Sequence, residues 1–401
     1  MNADTDSTPS RDLDLSTRLA HAGRAPGSHA GAVNIPPYRA STILHPTLAA
    51  FLAPDPEYRS VRYGRMGTPS SHAFEEAMAE LEGGCGAVAV GSGLQAITVA
   101  LSAFVRAGDH ILVTDSVYGP TRHFCDQMLA RLGVETEFYD PGIGAGIAGL
   151  IRENTRLIML ESPGSLTFEM QDVPAIVAAA RARGCLTLID NTWAAGVFFK
   201  PLALGVDVSI QAATKYVCGH SDATLGVIVA REEACRMAVK QSAVMLGAAA
   251  GADDLFLALR GLRTLPVRLA RHQETGIRLA RWMAGQPEVR RVLHPALPDD
   301  PGHALWQRDF TGACGLFAVE LDRIPQDALA AMLDGLSLFG MGYSWGGFES
   351  LILPAFPDRI RTAVPWRGRG TLIRLHAGLE DAEDLIRDLD RAFDRLRRTR
   401  R

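Results

Sequence analysis

Cysteine is sparse and scattered in this sequence: Cys85, Cys125, Cys185, Cys218, Cys235 and Cys314 form no CxxC pair. That spacing argues against a zinc site and a disulfide framework, and it fits a reducing cytoplasm. An excess of charge of one sign is also missing. Lys plus Arg total 41 against 45 Asp plus Glu, a net charge of -4, so no field steers the chain onto nucleic acid or an acidic membrane, and neither partner is expected. No stretch approaches the roughly 18 uncharged apolar residues of a spanning helix. The opening MNADTDSTPSRDLD has no apolar core of the kind an export signal needs. A cytoplasmic protein without a metal site is expected.

What is present is ordinary globular composition, with 401 residues, 47% hydrophobic and 21% charged, enough chain for two or three domains with large buried cores. Up to about Ser60 there is no sustained period, and Pro36, Pro37, Pro46, Pro54 and Pro56 remove donors and fix turns. This predicts an extended arm over residues 1–67 that needs a neighbour. From His72, FEEAMAELEGG predicts a helix with one apolar face, ended by Gly83 and Gly84. Short apolar runs follow: AVAV (87–90), HILVTD (110–115), RLIMLES (156–162), LTLIDN (186–191) and VSIQAATK (208–215). Between them QAITVALSAFV, HFCDQMLARLG and VPAIVAAARARG have helical spacing. Apolar strands alternating with helices predict an α/β domain over 68–252, its mostly parallel sheet covered on both faces and its ligand at the carboxyl ends of the strands. After about Asp253 a long helical region interrupted by Pro266 leads to CGLFAVEL and TLIRLHA, a smaller α+β domain over 253–401. Its last stretch, DLIRDLDRAFDRLRRTRR, reads as a helix with a solvated basic end.

Three readings of the ligand site compete. Gly91-Ser92-Gly93-Leu94-Gln95-Ala96 follows an apolar strand and opens a helix, with Asp115 about 20 residues on. That pattern suits a dinucleotide and hence an NAD(P)-dependent dehydrogenase, but a glycine turn at a helix N-terminus suits any phosphate, and a tight turn with no ligand is the bland alternative. The second reading starts from Lys215, which ends the run VSIQAATK where a ligand belongs. A Lys in low dielectric loses basicity and becomes an amine nucleophile for a carbonyl. A lone Lys is more often surface, and Asp190 with Asn191 could cap a turn. Together, however, Asp190 at a neighbouring strand end, Lys215 and the phosphate turn serve one cofactor, since an anion that keeps a pyridinium nitrogen protonated is what Schiff-base chemistry of pyridoxal phosphate requires. The third reading is a non-catalytic ligand-binding module, which the same fold can host.

Further motifs resemble a known family, the pyridoxal-phosphate enzymes of cysteine and methionine metabolism. They are Tyr63-Gly64-Arg65, LEGG (81–84), ESPGS (161–165), IDNTWAAGV (189–197), SIQAATKY (209–216), GHSDA (219–223), RGLRTL (260–265), the YSWGG and ESL segments (343–351) and TLIRLHAGLED (371–381). They run in order over almost the whole chain. The resemblance implies the pyridoxal-phosphate-dependent transferase fold of type I and pyridoxal 5'-phosphate as cofactor. It implies Lys215 as the Schiff-base lysine and general base, Asp190 on the pyridine nitrogen, and Tyr118 stacked on the ring. The phosphate would be held by the backbone of Gly93 and Leu94, the Thr214 hydroxyl, and Tyr63 with Arg65 from a neighbouring subunit, which gives the arm its neighbour. Arg374, by itself an ordinary surface salt-bridge residue, would clamp the substrate α-carboxylate with its planar fork. Tyr63, Tyr343, Ser344 and Trp345 would complete the substrate site.

The implied activity is a carbon–sulfur lyase acting on an amino-acid thioether, in a homo-oligomer, with tetramer the family's expectation. Relatives that cleave at Cγ tend to carry Glu where Tyr343 stands and rarely have the Trp of YSWGG or DNTW. Tyr343, Trp345 and Trp193 therefore favour β-elimination of L-cystathionine, in methionine biosynthesis, over a γ-lyase or a broader cystine-type lyase. Core packing is the plain alternative for Trp193. Departures from the family pattern are Ala212, where a phosphate-binding Ser is common, Met66 in place of a second Arg, and Arg122-His123 after Tyr118. Arg122 or His123 could meet a distal carboxylate, though a solvated helix face is the simpler expectation.

Overall fold

The computed structural model describes residues 12–366, 368 and 370–399. Most of the opening segment and the last two residues of the basic tail lie outside them. Helix α1 (Leu15–His21) starts on Asp14, whose carboxylate accepts from Ser16 N. It is not part of a free arm. Leu19 is wholly buried, Arg263 Nη1 donates to Leu19 O and Ala22 O at 2.6 Å, and Arg18 pairs with Glu80 at 2.5 Å. About two turns of helix are too short for a period to register in the sequence. Helix α2 (Leu48–Leu52) leaves its apolar side chains exposed.

Helix α3 (Pro69–Glu82) begins with a reciprocal cap between Thr68 and Ser71. Strand β1 (Gly86–Val90), helix α4 (Gly93–Ser102), strand β2 (His110–Thr114), helix α5 (Gly119–His123) and strand β3 (Glu135–Tyr139) follow. Then come β4 (Thr155–Glu161), helix α6 (Val173–Ala182), β5 (Leu186–Asp190), β6 (Val208–Gln211), β7 (Gly226–Ala230) and helix α7 (Glu233–Met245). The sheet order is β1-β7-β6-β5-β4-β2-β3, and only β7 pairs antiparallel to its neighbours. Side chains alternate between two dry cores. On β2 and β4, Leu112, Ile158 and Leu160 join one cluster, and Ile111, Val113, Leu157 and Met159 the other. Both faces being buried is why these strands read as continuous apolar runs. Strands β3 and β7 did not stand out in the sequence; ETEFY is a half-exposed edge strand and carries two carboxylates.

Helices α8 (Ala252–Arg263) and α9 (Leu265–Ala284) meet at Thr264, with Pro266 in the first turn of α9, where its missing N–H costs nothing. Strand β8 (Val289–Leu293), helix α10 (His303–Asp309), β9 (Leu316–Leu321), helix α11 (Gln326–Leu333), β10 (Leu351–Ala355), β11 (Thr371–His376) and helix α12 (Ala382–Thr399) complete the chain. The second sheet is antiparallel, in the order β10-β11-β9-β8. Leu385, Leu389, Phe393 and Leu396, spaced by helical turns on α12, close its core against Phe317, Val319 and Ile373. Among the described residues no helix is long and apolar enough to cross a membrane.

Candidate active site

Six strands of the large sheet run one way, so their carboxyl ends share one edge, and the residues just beyond those ends meet around a cavity of about 310 Å³. β1 leads through Ser92 to Gly93 and Leu94, β2 to Tyr118, β4 ends in Glu161, β5 in Asp190, and β6 leads to Thr214 and Lys215. The second sheet closes the cavity with Arg374 on β11 and the loop Tyr343-Ser344-Trp345 before β10. A larger cavity of about 480 Å³ beside Trp366 has, among the described residues, none of these groups and charged side chains that are all ion-paired, so the chemistry belongs to the first.

Lys215 Nζ donates to Ser344 Oγ at 2.6 Å and lies 5.4 Å from the centre of the Trp345 ring. Burial, with Arg374 nearby and against the pull of Asp190, lowers its pKa to about 8. Arg374 Nη2 donates to Ser344 O at 3.1 Å, so one serine ties both cations. The loop is pressed onto the lysine: a Cβ on Gly346, whose φ is +88°, would sit 2.9 Å from Lys215 C and Tyr216 N. Behind it His376 Nε2 lies 3.1 Å from Gly346 N and 3.2 Å from Gly347 O, and burial drives the His376 pKa well down, so the ring is neutral.

Asp190 is raised by burial, though Thr192 and Lys215 act the other way. Thr192 donates to Asp190 Oδ1 from its N at 3.0 Å and its Oγ1 at 2.5 Å, and Thr192 Oγ1 accepts from Ala212 N at 2.9 Å. One hydroxyl thus joins the acid to the turn facing α4. Glu161 is the register partner of Asp190 across β4 and β5. It accepts from Tyr118 N at 2.6 Å, and burial beside Asp190 raises it well above the carboxylate range. Tyr118 is raised by its own burial and by the Asp190 and Glu161 carboxylates. Glu161, Thr192 and His376 were not singled out in the sequence. The strand-end rule that found Asp190 would have found Glu161, whereas Thr192 and His376 lie within the IDNTWAAGV and TLIRLHAGLED motifs but carry no signal of their own there.

The expected residues are gathered unevenly. Gly93, Leu94, Tyr118, Asp190, Thr214, Lys215, Tyr343, Ser344, Trp345 and Arg374 all line the cavity. Tyr63 and Arg65 do not; Tyr63 is exposed and Arg65 Nη1 donates to Val244 O at 2.7 Å. The Thr214 hydroxyl lies against the backbone of Leu225, donating to O at 3.1 Å and accepting from N at 2.9 Å. Tyr343 is 93% exposed at the mouth. Trp193 both lines the cavity and packs in the core, its Nε1 donating to Leu316 O at 3.0 Å. Arg122 is not on a solvated helix face: it is buried, with Nη2 on Asp115 and Nη1 donating to Thr362 Oγ1 at 3.1 Å. Asp115, the acid of the dinucleotide pattern, is wholly buried by that pair and has no face for a ribose. His123 stays exposed.

Pyridoxal phosphate fits what remains. Ser92 caps α4 by accepting from Gln95 N, and Ala96 N bonds back to Ser92 O, so the Gly93 and Leu94 N–H groups are the donors the helix leaves for a phosphate. A Cβ on Gly93 would lie 2.4 Å from Ala212 Cβ, so only glycine lets this helix end approach the turn that leads to Lys215. An amine for the aldehyde and a carboxylate for the ring nitrogen stand on the same cavity.

Comparison with known proteins agrees. Residues 16–394 match the family described as Cys/Met metabolism PLP-dependent enzyme. The chain is 50% identical over 383 residues to a putative cystathionine beta-lyase of Rhizobium johnstonii, covering 94% of this chain and 96% of that one. It is 46% identical over 394 residues to cystathionine beta-lyase MetC of Escherichia coli, covering 96% and 99%. A crystal structure of cystathionine gamma synthase from Xanthomonas oryzae pv. oryzae, in complex with aminoacrylate and cysteine, superposes with a TM-score of 0.89 at 32% identity, covering 96% and 99%. The chain belongs to the pyridoxal-phosphate-dependent enzymes of Cys/Met metabolism.

Proposed function

We propose that this chain cleaves the Cβ–S bond of L-cystathionine by β-elimination, releasing L-homocysteine, pyruvate and ammonia with the consumption of one water. The observation that carries this reading is one cavity in which Lys215, Asp190 and Arg374 meet beside Tyr343 and Trp345. The β-lyase names of relatives at 50% and 46% identity support it.

Pyridoxal phosphate, when bound, supplies a conjugated ring that accepts the electron pair left at Cα. Asp190 keeps a proton on the ring nitrogen, and Thr192 holds the carboxylate in place. The Gly93 and Leu94 N–H groups would hold the phosphate, with the Thr214 hydroxyl, which here donates to Leu225 O, as a further donor. Tyr118 would lie against the ring and, its pKa being raised by burial, would stay a phenol at neutral pH. Arg374 binds the α-carboxylate through its fork, aimed by its bond to Ser344 O. Lys215 would take the Cα proton as general base, its amine made less basic by burial beside Arg374. The pair from the Cα–H bond forms the Cα–Cβ double bond, and the Cβ–S pair leaves with sulfur, which takes up a proton.

The three-part division follows the same reading: 1–67 as an arm whose helix α1 docks on its own chain and whose later part lends Tyr63 and Arg65 to a neighbour, 68–252 holding the cofactor, and 253–401 bringing Arg374. A homo-oligomer is supported by the apolar stretch Leu44, Leu48, Phe51 and Leu52, 60% to 89% exposed on the single chain, and a tetramer rests on the family resemblance alone. A cytoplasmic site fits six free cysteines. The experiment is to incubate the protein with L-cystathionine and identify the keto acid by mass spectrometry. Pyruvate is expected; 2-oxobutyrate would refute β-cleavage, and no keto acid would refute the substrate. For shared sites, hybrids of Arg65→Ala with Lys215→Ala subunits should regain activity that neither parent has, and no regain refutes the arm's role.

A further inference from the structure

Two residues that line the cavity, Leu166 and Phe168, sit in left-handed backbone with φ of 65° and 55°. For side-chain-bearing residues that costs about 1–2 kcal/mol each, so the loop does not hold this shape by local preference. Its own bonds hold part of it, with Thr167 Oγ1 donating to Glu169 Oε2 at 2.5 Å and Phe168 N to Gly164 O at 3.0 Å, and a second hold comes from far along the chain. Arg361, its side chain 2% exposed, donates from Nη1 to both oxygens of Glu169 at 2.7 and 2.8 Å, next to the strained pair. The same guanidinium donates from Nε to Asp115 Oδ2 at 3.3 Å. Asp115 stands three residues before Tyr118, is wholly buried, and also accepts from Thr362 N at 3.0 Å, Val364 N at 2.8 Å and Arg122. Ser165 N donates to Ser116 O at 2.8 Å, so the two anchored loops are also bonded to each other. One planar fork thus spans two carboxylates on two loops, which a point charge cannot do. Buried ion pairs add little net stability because desolvation offsets them, so fixing geometry is the effect this arrangement is built to deliver.

We propose that Arg361 is a positioning residue for the substrate cavity: through Glu169 and Asp115 it ties the segment after β10 to the loops carrying Phe168 and Tyr118. This rests on reading that cavity as the cofactor and substrate site. The test uses the full-length holoenzyme with Arg361→Met, Arg361→Lys, Glu169→Gln and the Arg361→Met/Glu169→Gln double variant. It reads KM and kcat for L-cystathionine, the visible circular dichroism of the bound cofactor, and thermal stability. Arg361→Met should raise KM by about tenfold or more and alter the cofactor band, the size expected when a small misplacement reaches the reacting groups. Arg361→Lys should recover part of both. The double variant should have the KM of Arg361→Met, because the two residues act in series. If Arg361→Met lowers thermal stability while KM and the cofactor band stay within about twofold of wild type, the role is structural and the proposal is overturned. Should that variant not fold, Glu169→Gln, a change of one atom on a partly exposed side chain, decides by the same readings. A wild type that binds cofactor yet does not act on cystathionine counts against the substrate reading, and the cofactor band still tests Arg361.

Discussion

Replacing Gly346 by Ala puts a methyl group 2.9 Å from Lys215 C and Tyr216 N and 3.0 Å from Lys215 Cα, all main-chain atoms that cannot swing away. The φ of +88° adds a left-handed penalty of about 1–2 kcal/mol. The loop escapes most cheaply by lifting off the lysine, which breaks Gly346 N to His376 Nε2 and Arg374 Nη2 to Ser344 O, at about 1 kcal/mol each. With the Lys215 Nζ to Ser344 Oγ bond lost as well, the stability loss should be about 4–5 kcal/mol, near 5 °C in melting temperature if the chain unfolds as one unit. Lifting also removes Ser344 Oγ from Lys215 Nζ, and a displacement of about 1 Å at the general base lowers turnover by about a hundredfold. Gly83→Ala is the control: its φ is +75° but nothing lies within 4 Å of the added Cβ, so it should lose about 1–2 kcal/mol and keep its turnover. Turnover of Gly346→Ala within about twofold of wild type, or a melting loss no greater than that of the control, would refute the packing argument.

The buried Lys215 amine, lowered to about 8 against about 10.4 in the unfolded chain, makes the unfolded state bind more protons between those values, so cofactor-free protein gains stability as pH rises through that window. Lys215→Met should be the more stable at pH 7, by about 2–3 kcal/mol at most, with the gap closing towards pH 10; denaturant melts over pH would expose a constant gap as the contrary result. Lys215→Ala should lose the borohydride-sensitive visible band with pyridoxal phosphate and at least about a thousandfold in turnover; retained wild-type turnover would remove Lys215 from its role. Trp193→Phe leaves Leu316 O without its indole donor and should cost about 1–3 kcal/mol by chemical denaturation, an unchanged midpoint being the opposing outcome. Tyr343→Glu should shift the keto acids from pyruvate towards 2-oxobutyrate, and an unaltered ratio would show that this position does not choose the bond.

Much of the large domain was legible because burial on both faces writes a strand as an unbroken apolar run, as in HILVT and RLIML. The edge strand ETEFY, half exposed, carries no such run. Asp190 was legible because a charged residue that ends an apolar strand stands where a parallel sheet opens to its ligand; the run VSIQAATK placed Lys215 at a strand end too, whereas β6 stops at Gln211 and Lys215 stands in the turn beyond it. Arg374 needed its motif, since an Arg within a strand reads by default as a surface charge.

The sequence by itself therefore determined the doubly covered sheet, the glycine turn, the acid and the amine, all set by hydrophobic alternation and residue type within short windows. Only the tertiary structure decided the fate of Asp115 and Arg122. Read locally, they were a ribose acid and a solvated cation; in the fold both are buried, because Arg361 and Thr362 arrive from 240 or more residues away. It likewise decided that α1 docks on its own chain through Arg263, and that Gly346 and His376 press Ser344 onto Lys215. Local pattern encodes which surfaces must be buried, whereas the partner of a buried charge or a tight backbone contact is set by where distant segments meet, and no short window of sequence carries that distance.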